Sequence, residues 1–365
     1  MFVRPGTPLR VFLVGGLVSV IGLCQPAAHL PFAPIPADPL ELVNGGISIP
    51  DSPDQRLAAQ QIIVKARDQY KLHAGGPFDL KVIFNATGQS YYEGPGTLEE
   101  LFLGPNGSRW TAQLGSYSQT RIVGTMGLVY DARSAPEIPM RLQQLRQAVF
   151  SPIYANPQTA FIRASVVSLN NEELTCVLMS HGSVEPPATQ RRRWDETEWC
   201  VNTQSGLLRI ASEVPGAYTV YDYTDALHFH DLTLPRNITV SEAGTKVLDI
   251  HLDSVTEPAS LDRKQLTPAA GMTTGPVFHD SVHLFAGIPD GSRQRPTIVR
   301  PVIVHAVFGP GGNAIETEIA ESSDPSLNPA ALNFAKGFRY SIPPPPGAVA
   351  EQSQVFLTVR FFAAR

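Results

Sequence analysis

Between residues 78 and 256 the chain is a succession of short alternating runs broken by turn residues, and that pattern is its tightest constraint on fold. The runs are Phe78 to Ala86, Gly94 to Leu103, Ser108 to Gln113, Gln119 to Val123, Phe161 to Leu169, Leu174 to Ser180, Trp199 to Val201, Leu207 to Ala211 and Tyr218 to Tyr223. Alternation with period two places the apolar residues of each run on one face, and the intervening Gly, Pro and Asn supply the turns of an antiparallel sheet. Two segments differ. From Pro53 to His73, Leu57, Gln61, Val64, Asp68 and Leu72 with Ile62 and Ile63 give a partial 3.6-residue stripe, capped by Asp51 or Ser52 and ended by Gly75-Gly76-Pro77. A second helix is expected between Pro139 and Phe150, with Met140, Leu142, Leu145 and Val149 on its apolar side.

A chain of 365 residues favours two domains plus appendages. Hydrophobic residues at 43% against 17% charged permit a packed globule and argue against disorder of the whole chain. The formal charge of -5 offers no general attraction for a phosphate backbone, so nucleic acid is excluded as a partner. The one basic run, Arg191-Arg192-Arg193, reads as a solvated loop, with a lipid-headgroup or nucleic-acid contact as the competing reading.

Arg4 and Arg10 precede an uncharged apolar stretch from Val11 to Leu23, the n-region and h-region of a signal peptide over residues 1–28. The stretch falls short of the roughly 20 residues that span a bilayer, so cleavage is favoured over an anchor that would associate the protein with a membrane. Cys24 invites a lipoprotein reading, against which Leu23 is large for the residue before a lipidated cysteine. Residues 29–52 carry prolines at intervals that prevent helix and ladder alike, as in an extended tether. In an exported chain the remaining cysteines, Cys176 and Cys200, are expected to pair between adjacent strands. Residues 257–295, rich in Pro, Gly, Ser and Thr, read as a linker with at most a short strand.

Residues 296–365 form a separate module. Val302 to Phe308 is a strand, Gly309-Pro310-Gly311-Gly312-Asn313 a hairpin turn, and Ile315 to Ala320 its partner, with Ile315, Thr317 and Ile319 on one face and Glu316 and Glu318 on the other. That alternation predicts a sheet covered on one face. The cover is a helix with Asn328 as N-cap, Pro329 in its first turn and Leu327, Ala331, Leu332, Ala335 and Phe338 as its stripe. The final strand directs Val355, Leu357, Val359 and Phe361 inward.

This β-β-α-β order, with Ser322-Ser323, Leu327-Asn328-Pro329-Ala330-Ala331-Leu332 and Phe338-Arg339-Tyr340 before a proline, resembles the TonB C-terminal family over about a fifth of the chain. The resemblance implies a periplasmic module that binds an extended peptide of an envelope or outer-membrane protein by strand addition, and so a link to TonB-type transmembrane transport. Unpaired backbone on the last strand, Val355, Leu357, Val359 and Phe361, would be the docking edge. A short apolar segment and a large β-rich domain stand where an energy transducer has its anchor and long spacer. The middle region, about 53 to 256, resembles the outer-membrane lipoprotein carrier and sorting family through its strand layout and Leu234-Pro235-Arg236-Asn237-Ile238. That resemblance implies a curved half-barrel around helices that encloses an apolar cavity for a lipid or other hydrophobic ligand.

Candidate chemistry is sparse. His228-Phe229-His230-Asp231 with His251, and His279 with His283, have spacings compatible with a metal, and His181-Gly182-Ser183 is a fragment of a nucleophilic site without an argued base. No Gly-x-Ser-x-Gly, Walker, dinucleotide or HExxH pattern occurs. Trp110, Trp194, Trp199, Tyr91, Tyr92, Tyr218, Tyr221 and Tyr223 could line an apolar cavity or pack between strands. The sequence thus predicts an α+β, non-enzymatic envelope protein without cofactor or catalytic residues: a signal segment, a half-barrel-like domain with covering helices over 53–256, and a TonB-like domain over 296–365.

Overall fold

The described residues of the computed structural model are 53–88, 90–124, 128–153, 161–180, 192–274, 282–288, 298–343 and 352–363. Residues 1–52, His181-Gly182-Ser183, Arg191 and His279 lie outside them, as does the side chain of His283.

In chain order the elements are α1 (Pro53–Gln69), β1 (Phe78–Ala86), β2 (Gly94–Phe102), β3 (Ser108–Leu114), β4 (Tyr117–Val123), β5 (Val129–Arg133) and α2 (Met140–Phe150). There follow β6 (Phe161–Leu169), β7 (Glu172–Ser180), β8 (Thr197–Asn202), β9 (Leu208–Val214), β10 (Ala217–Asp222), β11 (Leu227–Phe229), β12 (Leu232–Leu234), β13 (Asn237–Glu242), β14 (Thr245–Thr256) and β15 (Thr273–Thr274). The last are β16 (Val282–Ile288), β17 (Ile298–Phe308), β18 (Ala314–Ser322), α3 (Asn328–Gly337) and β19 (Ser353–Ala363). No described helix is long and apolar enough to cross a membrane.

Thirteen strands join in one sheet, ordered β15-β5-β4-β3-β2-β1-β14-β13-β10-β9-β8-β7-β6, all antiparallel. Hairpins between successive strands build most of each half, β13 pairs with β10 past the separate β11-β12 hairpin, β15 adds to β5, and the pairing of β1 with β14 joins the halves. One face of this sheet is apolar: Phe78, Leu80, Val82, Phe84 and Ala86 of β1 and Leu248, Ile250 and Leu252 of β14 are withdrawn from water with Trp199, Val201 and Tyr221 of the far half. α1 and α2 fill that face, and each fully buried Leu, Ile or Phe there contributes roughly 1.5–3 kcal/mol.

α1 is turned about its axis relative to expectation. Its buried residues are Ala59, Ile63 and Ala66, while Leu57 is 51% and Val64 36% exposed. Small side chains at i and i+7 let the helix lie close to the sheet, so the seat follows the alanines rather than the larger residues. The helix ends at Gln69 and continues into a 3-10 turn, Leu72–Ala74, which buries Leu72 and presents His73.

The second sheet, β16-β19-β17-β18, carries α3 on one face, where Val302, Val304, Ala306 and Phe308 meet Ala331, Ala335, Val355, Leu357 and Val359. The chain enters α3 through a turn over Pro325–Leu327 that Asp324 caps by accepting from the Ser326 amide, so Leu327 rather than Asn328 takes the cap position. The opposite face is not open to water, contrary to the one-sided covering that the alternation predicts. Ile303, Ala320 and Phe356 pack on Trp194, Val214 and Ala217 of the large sheet's unit. Gly216 lies so close to β18 that a Cβ would stand 2.3 Å from the Ala320 carbonyl oxygen, and its φ of +86° is one that favours glycine. Residues 257–295 are more than a linker: β15 extends the large sheet beside β5, and β16 runs parallel to β19.

Candidate functional site

The apolar face of the large sheet is interrupted by one polar row. Glu100 on β2 stands opposite Trp110 on β3, Trp110 opposite Arg121 on β4, and Arg121 opposite Asp131 on β5. Register alone sets the four side by side on the helix-covered face, where Glu100, Trp110, Arg121 and Asp131 are all at most 3% exposed. Gln119 donates to both Asp131 oxygens at 3.0 Å and accepts from the Tyr117 hydroxyl at 3.0 Å, and Arg133 lies 3.4 Å from Asp131.

Two groups complete the row from the helical layer. His73 Nε2 is 2.8 Å from Glu100 Oε1, and Arg146 of α2 donates to Glu100 Oε2 at 2.9 Å. The Arg146 guanidinium lies 4.5 Å from the Trp110 ring centre and 4.9 Å from that of Phe150. The His73 ring touches Phe78, Phe102 and Phe150, with centroids 5.3, 4.8 and 5.1 Å away. Burial alone would raise the Glu100 carboxyl, but the Arg146 charge and His73 overcome it and hold the group below its ordinary range.

A second polar group lies where the sheets meet. Arg141 of α2 donates to Glu242 of β13 at 3.1 Å and to Glu318 of β18, while Glu242 also receives Gln144 at 2.6 Å and lies 2.7 Å from His305 Nδ1. Beside it a cleft of about 40 Å³, room for a few waters at most, is lined by Gln144, Gln147, Glu213, Thr219, Tyr221 and Gln354 among others. Its size excludes an acyl chain as occupant.

Cys176 and Cys200, directly opposite on β7 and β8, form a disulfide on the outer face of the large sheet. Glu198 is near enough to make a three-ligand group with them, but sulfurs bonded to each other do not serve as thiolate ligands. The remaining histidines are held apart: His228 faces Thr233, His230 lies 3.2 Å from Glu257, and His251 is 2.8 Å from Asn237. Trp199 donates to the Pro152 carbonyl and Tyr221 to that of Ala148 inside the core, Trp194 lies in the joint between the sheets, and Tyr91 is exposed.

The proposed docking edge is corrected. β19 is flanked by β17 on one side and β16 on the other, so Val355, Leu357, Val359 and Phe361 belong to an interior strand without a free edge. Val355, Leu357 and Val359 are wholly buried under α3. Reading residues 257–295 as linker concealed β16, the strand that takes this edge.

No family model matches the sequence, that of the TonB C-terminal family included, and no curated protein matches it. Among solved structures, a LolA superfamily protein from Nitrosomonas europaea is 14% identical, over 57% of this chain and 97% of that one, with a TM-score of 0.36. A putative outer membrane lipoprotein-sorting protein domain from Vibrio parahaemolyticus is 6% identical, over 58% and 97%, at 0.35. A DUF1329 family protein from Desulfovibrio piger is 7% identical, over 58% and 98%, at 0.36. Likenesses at this level carry no argument about what this chain binds.

Proposed function

We propose that the protein is a non-enzymatic carrier of an apolar ligand, which it takes up on the helix-covered face of its large sheet beneath α1, in the periplasm or cell envelope. The observation that supports this reading is the seat of α1. The apolar part of that face is covered by a helix whose fully buried side chains are two alanines and one isoleucine, with Ile62 partly buried beside them. Such a helix contributes little hydrophobic energy to its own attachment, since an alanine buries about one methyl group where Leu or Phe buries several. Elements held this weakly open at a small fraction of the global unfolding free energy. Opening α1 would bare apolar surface that an acyl chain or comparable group can cover. The apolar amino-terminal stretch and the cysteine pair fit an oxidising, extracytoplasmic setting.

The reading is tested by native mass spectrometry of the full chain purified without detergent from a bacterial host, followed by solvent extraction. The expected result is a near-stoichiometric adduct that releases an apolar molecule. Protein that is empty in every preparation, and that also fails to enhance the fluorescence of N-phenylnaphthylamine, overturns it.

A further inference from the structure

We infer that the ligand ends in a neutral hydroxyl, which binds where the Tyr70 hydroxyl now stands, between the Tyr223 hydroxyl and the Leu208 carbonyl. The inference rests on the carrier reading and names the ligand class for the same face.

Tyr70 fills the interior in the way a ligand would. It follows α1 directly and its amide donates to the Arg67 carbonyl at 3.1 Å, so it belongs to the last turn of that helix and leaves with it. The residue is 4% exposed, and its ring meets that of Tyr221 edge-on with centroids 5.5 Å apart. Its hydroxyl bonds the Tyr223 hydroxyl and stands 3.5 Å from the Leu208 carbonyl oxygen. Both partners stay behind when α1 moves, since Leu208 opens β9 and Tyr223 follows β10. Opening α1 therefore leaves a space against the Tyr221 ring with a hydroxyl and a carbonyl at its end.

That end selects one kind of head. A carbonyl only accepts, so the group beside Leu208 must donate, while Tyr223 can donate in turn to that group's oxygen. A hydroxyl meets both demands, as that of Tyr70 does. A methyl ether cannot donate, and a buried acceptor left unmatched costs more than the bond itself contributes. A carboxylate would set its oxygens against the carbonyl oxygen. It would also lose its hydration where burial already pushes the Tyr70 and Tyr221 phenols well above their ordinary range, a setting that disfavours anions. Arg209 lies 5.6 Å from the Tyr223 ring centre, but its guanidinium is engaged by Glu172 and by the Tyr221 carbonyl, each at 2.8 Å. At 3.5 Å the Tyr70 contact with Leu208 is long for a hydroxyl donor, and a free molecule can approach closer than a side chain fixed to a helix.

Displacement of N-phenylnaphthylamine from the full chain tests this with oleyl alcohol, its methyl ether, oleate and cis-9-octadecene. Ratios of affinity on one protein cancel the cost of opening α1, which every competitor meets alike. The alcohol should bind about fivefold or more tightly than the ether and than oleate, the scale of one matched hydrogen bond. Tyr223→Phe keeps the ring and removes the hydroxyl, and the alcohol should lose about fivefold relative to octadecene, which never used that group. Tyr70→Phe keeps both partners but weakens their hold on the closed form, and should tighten all four competitors by one common factor. Equal binding of alcohol and ether by the unaltered protein, or tighter binding of oleate, overturns the inference and needs no variant to read. An alcohol-to-octadecene ratio unmoved by Tyr223→Phe, or affinities unmoved by Tyr70→Phe, overturns it too, and each of these results leaves the carrier reading standing. Failure of the probe and all four competitors to bind overturns the carrier reading, and the inference falls with it.

Discussion

Arg141 of α2 donates to Glu318 of β18 across the joint between the two sheets, and neither side chain meets solvent appreciably. The same guanidinium holds Glu242 of β13, so a single cation ties one carboxylate from each sheet. This explains why α2 buries Arg141, Gln143 and Gln144 on the side that an amphipathic reading assigns to water. It also explains why Glu318 faces inward. The small sheet is a fixed part of the molecule, not a module on a tether.

Replacing Arg141 by Leu leaves Glu242 and Glu318 buried without their shared cation, and breaking a buried pair in this way costs about 3–5 kcal/mol. Chemical denaturation should show that loss. Hydrogen exchange should show faster opening of residues 314–322 than of β1 and β14. A change below about 1 kcal/mol would mean that the joint is held by Ile303, Ala320, Phe356 and Trp194 alone.

Acid should loosen the same joint. Burial would raise Glu242, but the His305 charge and hydrogen bond and the Arg141 guanidinium prevail and hold it at about 2, against an ordinary value of 4.5. A carboxyl depressed on folding contributes stability that is complete above its unfolded value, so this contribution fades as pH falls from about 4.5 towards 2. Glu318 is raised, by burial first and with Glu242 nearby, and has the opposite sign: its contribution is lost as pH rises through its folded value. Glu242 and Glu318 thus partly offset each other in acid. Glu242→Gln should flatten the acid limb of a stability-pH curve, and an unchanged limb would assign acid sensitivity to other groups.

The sheet was legible because strands buried on one face alternate, as β1 and β3 do, while β7 and β8, buried on both faces over much of their length, still read as short apolar runs between turns. β5 was not, because one of its two buried residues is Asp131, which breaks the apolar alternation that Val129 begins. The polar row was hidden for a related reason. Glu99-Glu100 and Arg121 each look solvated on their own strand, and only the register of three successive hairpins brings Glu100, Trp110, Arg121 and Asp131 together. Counting outward from the turns near Gly107, Gly115 and Gly124 could have aligned them. The second cover of the small sheet did have a signal in Val302 to Phe308, which is apolar on both faces apart from His305, the pattern of a strand buried on both sides.

The disulfide closes a loop of sequence separation 24 between paired strands on the outer face. Changing both cysteines to Ala should cost about 3–4 kcal/mol in the chain-entropy model, read as a lower denaturation midpoint. Because Cys176 and Cys200 pack with Val167, Leu174, Ile210 and Tyr218, away from the helix-covered face, ligand affinity should not change. Loss of binding at temperatures where the variant remains folded would place the site on the outer face instead.

Ile63 is the one large side chain of α1 that is fully buried in the core, with Ile62 partly buried beside it, so it separates a cover from a structural helix. Ile63→Ala removes a fully buried side chain and should cost roughly 2–4 kcal/mol. If α1 is a movable cover, that cost falls on the helix: residues 53–69 should exchange amide hydrogens much faster while β1 and β14 keep their protection, and N-phenylnaphthylamine should bind faster. Leu57→Ser and Val64→Ser, at exposed positions of the same helix, should shift stability by no more than about 0.5 kcal/mol. If Ile63→Ala instead speeds exchange of α1, β1 and β14 together, the helix unfolds only with the sheet beneath it. The helix-covered face could then not be opened by α1 alone, and a ligand would need another way in.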